Sequence, residues 1–352
     1  MRNINVMLVP TGVGASIGGF AGDAAPAFKL LAKASDLLIT HPNVVNAALL
    51  TDISSNIAVL EGYFIDRFFS EQIALRLNVK HKIAVVIDSE ANEAERILTQ
   101  NCINAARVVY GLDIIEKPYF TSAAIDAGDL INIKNPDTLL EACSIAVADG
   151  ATALAVLAVL PEDATSDSAK KYSNGSGIDP IGSIEAKISH LVAQFFLKPC
   201  AHAPIVRSKN HQPEVVDSRA AAEYLSDSFL ASVFKCLQYS PQIIPIEQHH
   251  RLLSSIYTNA ADLKLFRGPS DLMVYDVANL VVPYDACNNL PCAKAHNYNI
   301  ELLCVENNKT VLDEPASMFG MPHKLVKNYF EAAGYLLANT RDKNHINPQL
   351  LL

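Results

Sequence analysis

Three kinds of residue in this chain have types and spacing suited to chemistry, and each stands where an apolar, strand-like run ends. The first is a histidine among side-chain amides, Thr40-His41-Pro42-Asn43-Val44-Val45-Asn46. Imidazole titrates near neutrality, so His41 is the candidate general acid or base, with Thr40, Asn43 and Asn46 to orient a substrate. The second is the turn Tyr284-Asp285-Ala286-Cys287, which leads toward a helix start at Pro291. A helix N-terminus lowers a thiol pKa, so Cys287 is a candidate nucleophile beside Asp285, or else an inert packing residue. The third is carboxylate and amide chemistry at Glu61 and at Glu306-Asn307. Glu61 either binds a ligand or caps the helix that follows it.

What must hold a ligand against these groups is the glycine-rich stretch Thr11 to Asp23, with five glycines between residues 12 and 22. Positions without a side chain let something approach the backbone closely. The stretch follows an apolar run, Ile4 to Pro10, and precedes a helical pattern, Ala24 to Ala34, which is the arrangement in which free amides and a helix start hold an anion. Thr11, Gly12, Gly14, Gly18, Gly19 and Asp23 are the candidate ligand-binding residues here; the alternative is a tight structural turn. Gly12-x-Gly14 with Gly18 also resembles a dinucleotide fingerprint, but the third glycine is one place late. The second strand ends in Thr40-His41 where a ribose-binding carboxylate is expected, and Asp36 lies at its beginning. No phosphate-loop lysine motif occurs.

The elements that would position these residues alternate strand and helix: strands near 4–10, 37–40, 57–60, 82–88, 112–116, 153–160, 242–245, 272–274, 279–283 and 300–305, with helices near 24–34, 65–77, 91–106, 136–148, 183–198, 218–237, 291–296 and 325–337. This predicts an α/β fold of mainly parallel sheets with helices on both faces, in Rossmann-like layers. Ligands of such sheets bind beyond the carboxyl ends of the strands. If the strands are parallel neighbours, the clusters at 11–23, 40–46, 285–289 and 306–308 share one edge. Residues 161–182 are polar and aperiodic, and read as a lid or a surface excursion between an N-terminal α/β half, 1–160, and a C-terminal half, 183–352.

Composition narrows the classes. The 352 residues carry a net charge of −9 and are half hydrophobic. No Lys/Arg cluster or Trp is present to serve nucleic acid. Seven dispersed cysteines without a C-x-x-C pair fit a reduced, cytoplasmic protein with no cysteine metal site. His249-His250 is a poor metal pair, because adjacent side chains diverge. The longest apolar run, Ala151 to Leu160, is too short to span a bilayer, and no signal peptide is apparent.

The stretch Gly12 to Ala24 together with Thr40 to Ala47 resembles a family of bacterial, notably cyanobacterial, and plant proteins known only as a domain of unknown function. Val282-Pro283-Tyr284-Asp285-Ala286-Cys287 and Val305 to Leu312 resemble its later motifs. Asn288-Asn289 departs from the glycines expected there. The resemblance covers most of the chain and implies kinship without a chemistry.

The expectation is therefore an enzyme acting on a small anionic metabolite, phosphorylated or carboxylated, of unassigned reaction class and cofactor. His41, Cys287 and Asp285 are its candidate catalytic groups. The alternatives are a metabolite or nucleotide sensor and an NAD(P)-dependent oxidoreductase. The small-molecule ligand is the expected partner, with neither nucleic acid nor membrane, and a homo-oligomer is expected.

Overall fold

The computed structural model describes residues 3–10, 13–18, 24–45, 55–127, 132–160, 179–205, 214–221, 228–246 and 271–338, with 167, 170, 171, 174, 176 and 177 between them; the side chain of Asn43 lies outside the description. Its strands are β1 (Ile4–Met7), β2 (Leu37–Thr40), β3 (Ile57–Val59), β4 (Ile73–Arg76), β5 (Lys82–Ile87), β6 (Asp113–Ile114), β7 (Tyr119–Phe120), β8 (Ala153–Ala158), β9 (Cys200–Pro204), β10 (Gln242–Pro245), β11 (Val277–Pro283), β12 (Glu301–Val305) and β13 (Lys324–Val326). Its helices are α1 (Ala25–Lys33), α2 (Pro42–Val45), α3 (Gly62–Phe69), α4 (Glu93–Val109), α5 (Pro136–Ala148), α6 (Pro180–Phe196), α7 (Ser218–Ala221), α8 (Leu230–Gln238), α9 (Leu290–Ala295) and α10 (Tyr329–Ala338).

Two parallel sheets carry the fold, as the alternation of elements requires. The first has the order β13-β12-β11-β1-β2-β3, and the second runs β6-β5-β8-β9, with β7 also beside β5. A small antiparallel pair joins β4 to β10. Strands buried on both faces need apolar residues at every position, and β1, β2, β8 and β11 are buried throughout. Alternate strand residues separate into two core layers, each drawing on both sheets. Met7, Leu38, Val85 and Ala155 belong to one; Val6, Ile39, Ala84 and Val156 belong to the other. The sheets thus share their cores.

The chain does not divide into halves at residue 160. The first sheet takes three strands from the amino end and three from the carboxyl end, and the second sheet is inserted between them. The first sheet therefore reverses its strand order between β1 and β11. At such a reversal the two connections leave in opposite directions and open a crevice beyond the carboxyl ends of the strands.

Several local expectations differ from what forms, among them the one helix expected over 218–237, which is two, α7 and α8. The helix expected over 65–77 stops at Phe69, because Glu71 adopts φ of +58°, and Ile73–Arg76 then pairs as a strand. The helix placed at Ser183 begins at Pro180, capped by Asp179, whose Oδ1 accepts the Ile181 N–H at 2.9 Å. Lys324–Val326 is a strand beside β12, and the closing helix starts at Tyr329. Leu272 bridges Leu75 singly, and Val274–Asp276 forms a 3₁₀ turn in place of a strand.

Candidate functional site

Because β12, β11, β1 and β2 are consecutive neighbours, the four polar clusters that follow them do share one edge. The crevice between β1 and β11, however, is filled by the chain itself. Gly14 donates its N–H to the Gly177 carbonyl at 2.8 Å and accepts from the Val311 N–H at 2.9 Å. The Ser16 N–H goes to the Lys309 carbonyl at 2.8 Å, and the Ile17 N–H to Asn308 Oδ1 at 2.9 Å. Three of the described amides of the glycine-rich stretch, those of Gly14, Ser16 and Ile17, are thus occupied by protein. Its glycines answer close approach: a Cβ on Gly14 would stand 2.9 Å from the Gly177 oxygen, and Gly18, at φ of +87°, lies against Val9. Through Gly177, the polar segment is seated on this stretch. Thr11, Gly12, Gly19, Asp23 and Asn46 lie outside the described residues, as do His249 and His250.

The far wall of the crevice is structural as well. Asp285 Oδ1 accepts the Thr310 N–H at 2.7 Å, and its carbonyl accepts from Glu314 at 2.8 Å. Cys287 is fully buried, with its Sγ 3.7 Å from that of Cys304. Hydrogen bonds from the thiols of Cys292 and Cys304 hold its pKa below the usual range and push theirs up. Its Sγ also lies within reach of the Pro283 and Tyr284 carbonyls, and its burial leaves it no access to a substrate. Glu306 and Asn307 are exposed, and their amides bond the Val326 and Lys327 carbonyls. The residue that grips the glycine-rich stretch is Asn308, fully buried, which also donates to the Ile17 carbonyl and to the Tyr329 hydroxyl.

On the other side, Thr40 Oγ1 donates to the Met7 carbonyl at 2.9 Å, fastening β2 to β1. Asp36 accepts the Asn3 N–H at 2.7 Å, at the end of the strand away from any cofactor crevice. His41 is buried, and its Nε2 accepts the Val9 N–H at 3.2 Å. Burial, aided by the charge of nearby His190 and opposed by the Val9 backbone, lowers its pKa to about 4. That ring is neutral at pH 7 and already engaged, so it acts as a fixed polar support for the connection after β1.

The exposed, titratable imidazole nearby is His190, on α6. Its Nδ1 lies 2.7 Å from Glu61 Oε1 and 2.6 Å from the Ala186 carbonyl, so this nitrogen carries the proton, and Nε2 has no partner among the described residues. Burial lowers the His190 pKa, but the hydrogen bond and charge of Glu61, with the Ala186 carbonyl and Asp66, outweigh it and leave the pKa raised. The ring is half-exposed and fills the place where a side chain at Gly62 would stand. Glu61 is itself fully engaged: Oε2 caps α3 by accepting the Tyr63 N–H at 2.7 Å, and Ser189 Oγ donates to Oε1 at 3.3 Å. Its candidacy as ligand group or cap thus resolves into a cap that also orients a histidine. Carboxylate, Nδ1–H and a free Nε2 form the geometry of an oriented general base.

His190, Ser189 and Asn308 were not among the sequence candidates. A signal existed for α6: Ile184, Ile188 and Val192 mark its inward stripe, and Ser189 lies on that stripe although polar. Among the described residues, no three His, Cys, Asp or Glu side chains are placed to hold a metal ion.

The family model for "Protein of unknown function (DUF3326)" matches residues 4–351. This chain belongs to that family. A relative in Synechococcus sp. (strain ATCC 27144), named an uncharacterized lipoprotein, is 32% identical over 345 residues, which cover 95% of this chain and 90% of that one. No solved structure matches. For this DUF3326 protein, then, function rests on the site. Among the described residues, no helix is long and apolar enough to cross a membrane.

Proposed function

We propose that the chain is an enzyme acting on a small anionic metabolite, phosphorylated or carboxylated, with His190 as its proton-transferring group. The observation that carries the reading is the 2.7 Å contact between Glu61 Oε1 and His190 Nδ1, with Nε2 left free on a half-exposed ring. Glu61 stabilises the imidazolium, so protonated His190 attracts the substrate's anion and gives its Nε2 proton to a developing oxyanion, recovering it from water afterwards. Anion attraction was expected of the glycine-rich stretch, where the Gly14, Ser16 and Ile17 amides bond protein instead. A melting-temperature screen with inorganic phosphate and short carboxylates tests this. Wild type is stabilised on the acid side of the His190 pKa and His190→Ala is not; equal stabilisation of both would refute the assignment. Turnover of a stabilising compound marks the enzyme, whereas binding without turnover marks a sensor.

The seven buried cysteines, none of them in a disulfide, support a reducing compartment, the cytoplasm. Phe330, Met318 and Leu337 are 78%, 64% and 56% exposed in the carboxyl-terminal part, which supports a homo-oligomer. Light scattering on Phe330→Glu checks this: the variant should be the smaller species.

A further inference from the structure

A groove of about 590 Å³ opens where α4 ends, between that helix and the start of α7. Its volume lies within the range of about 300–1,000 Å³ that small-molecule sites occupy. Asn104, Arg107 and Val108 stand at i, i+3 and i+4 on α4 and so share the helix face that lines it. Gly111, at φ of +62°, turns the chain out of the helix and brings Leu112 and Asp113 round to the same groove. Ser218, at the start of α7, lines it from the other side. Asn101 fastens the segment that leads to Ser218: its Oδ1 accepts the Val216 N–H at 3.0 Å, and its Nδ2 donates to the Glu214 carbonyl at 3.3 Å.

This groove is separate from the Glu61–His190 pair. Cys102, Ile103 and Ala106 of α4 pack in the core layer of Val85 and Ala155, whereas Ile188 and Val192 of α6 pack in the layer of Ala84 and Val156. The two helices therefore cover opposite faces of the second sheet. Because α4 links β5 to the parallel strand β6, it runs against both, and its last turn lies at their amino ends.

Arg107 and Asp113 are exposed, and among the described residues neither side chain has an ion pair or hydrogen bond. A plain anion would be drawn by Arg107 and repelled by Asp113, and a plain cation the reverse. A molecule that carries both a carboxylate and an ammonium satisfies both residues. Asn104 Oδ1 accepts from Gln100 at 3.1 Å, which leaves the Asn104 N–H donors for a carboxylate. Val108, 54% exposed, and half-buried Leu112 offer apolar surface to an aliphatic side chain. Among the described residues, no histidine, cysteine or lysine lines the groove, so its chemistry is binding.

We propose that this groove binds a small zwitterion, a free amino acid or a dipeptide, with the carboxylate on Arg107 and Asn104 and the ammonium on Asp113. Calorimetric titration of the full chain tests it with leucine and alanylalanine. The controls are 4-methylpentanoate, which is leucine without its ammonium, and 3-methylbutylamine, which is leucine without its carboxylate. At least one zwitterion should bind, and both controls should bind about tenfold more weakly or less. Leucine binding alone marks a free amino acid as the ligand, and alanylalanine binding alone marks a peptide. Arg107→Gln and Asp113→Asn should each weaken that binding by about tenfold or more, while His190→Ala leaves it unchanged. Both replaced side chains are exposed and unpaired, so these variants should melt with wild type, which a thermal scan checks before titration. Failure of both zwitterions to bind would overturn the proposal, as would a control that binds equally well. Binding that survives both groove substitutions, or that is lost in His190→Ala, would overturn it too.

Discussion

Glu61 Oε1 lies 2.7 Å from His190 Nδ1, and this contact ties the edge of the first sheet to the helix that covers the second. Glu61 follows β3, the edge strand of one sheet, and His190 sits on α6, which leads into β9, the edge strand of the other. The pair bridges the two sheets and creates the one half-exposed, oriented imidazole among the described residues of the site.

The contact raises the His190 pKa above 6.5, so its linkage to stability has a definite sign. The folded state holds the proton more tightly than the unfolded one. The stabilisation is fully present below 6.5 and is lost as pH rises through the folded value. Glu61→Gln should lower the His190 pKa in an NMR titration. It should also cost more stability on the acid side of 6.5 than on the alkaline side, where only the loss of the α3 cap remains.

His41 has the opposite sign. Its folded pKa of about 4 lies below the ordinary 6.5, so the stability of the neutral ring is present above 6.5 and lost as pH falls toward 4. The full loss is about 3 kcal/mol for a shift of this size. His41→Gln, which keeps an acceptor for the Val9 N–H, should flatten urea-unfolding stability across that window. An unchanged acid slope would show that His41 is not the group responsible.

A buried amide relay crosses the strand-order reversal. Asn279 Nδ2 donates to Asn5 Oδ1 at 2.7 Å, and Asn5 Nδ2 donates to Asn3 Oδ1 at 3.1 Å and Ser35 Oγ at 2.9 Å. Both Asn5 and Asn279 are wholly inaccessible to solvent. Asn279→Leu strands the Asn5 oxygen and should cost about 1–3 kcal/mol in chemical denaturation, while the double variant Asn5→Leu/Asn279→Leu should cost less than the sum of the singles.

Gly14→Ala tests the seating of the polar segment. The new methyl group would stand 2.9 Å from the Gly177 oxygen and 3.2 Å from Val311 Cγ1, so the backbone contact must open. Limited proteolysis between residues 161 and 182 should accelerate. Gly334→Ala, in α10 with nothing within 4 Å of the added carbon, should be neutral or stabilising by up to about 1 kcal/mol. Equal proteolysis of the Gly14→Ala protein and wild type would detach the segment from the glycine-rich stretch.

The α/β architecture was legible in the chain because it is written in short-range pattern: runs such as KIAVVI and ALAVLA have the length and apolar content of strands buried on both faces, and the stretches between them have helical spacing. The polar clusters after β1, β2, β11 and β12 were legible as strand ends, but that they share one edge depended on the strands being neighbours, which only the sheet order decided. Roles were not legible, because they depend on partners distant in sequence. Whether His41 titrates or is sealed depends on the Val9 amide and on burial, and whether Gly14 has a free amide depends on Gly177. Likewise, Glu61 became the orienting partner of a histidine more than a hundred residues away only when two sheet edges met. Local pattern determines where strands, helices and their polar ends lie. Desolvation and long-range hydrogen bonding, which exist only once the sheets are packed, decided which of those polar groups remain free to react.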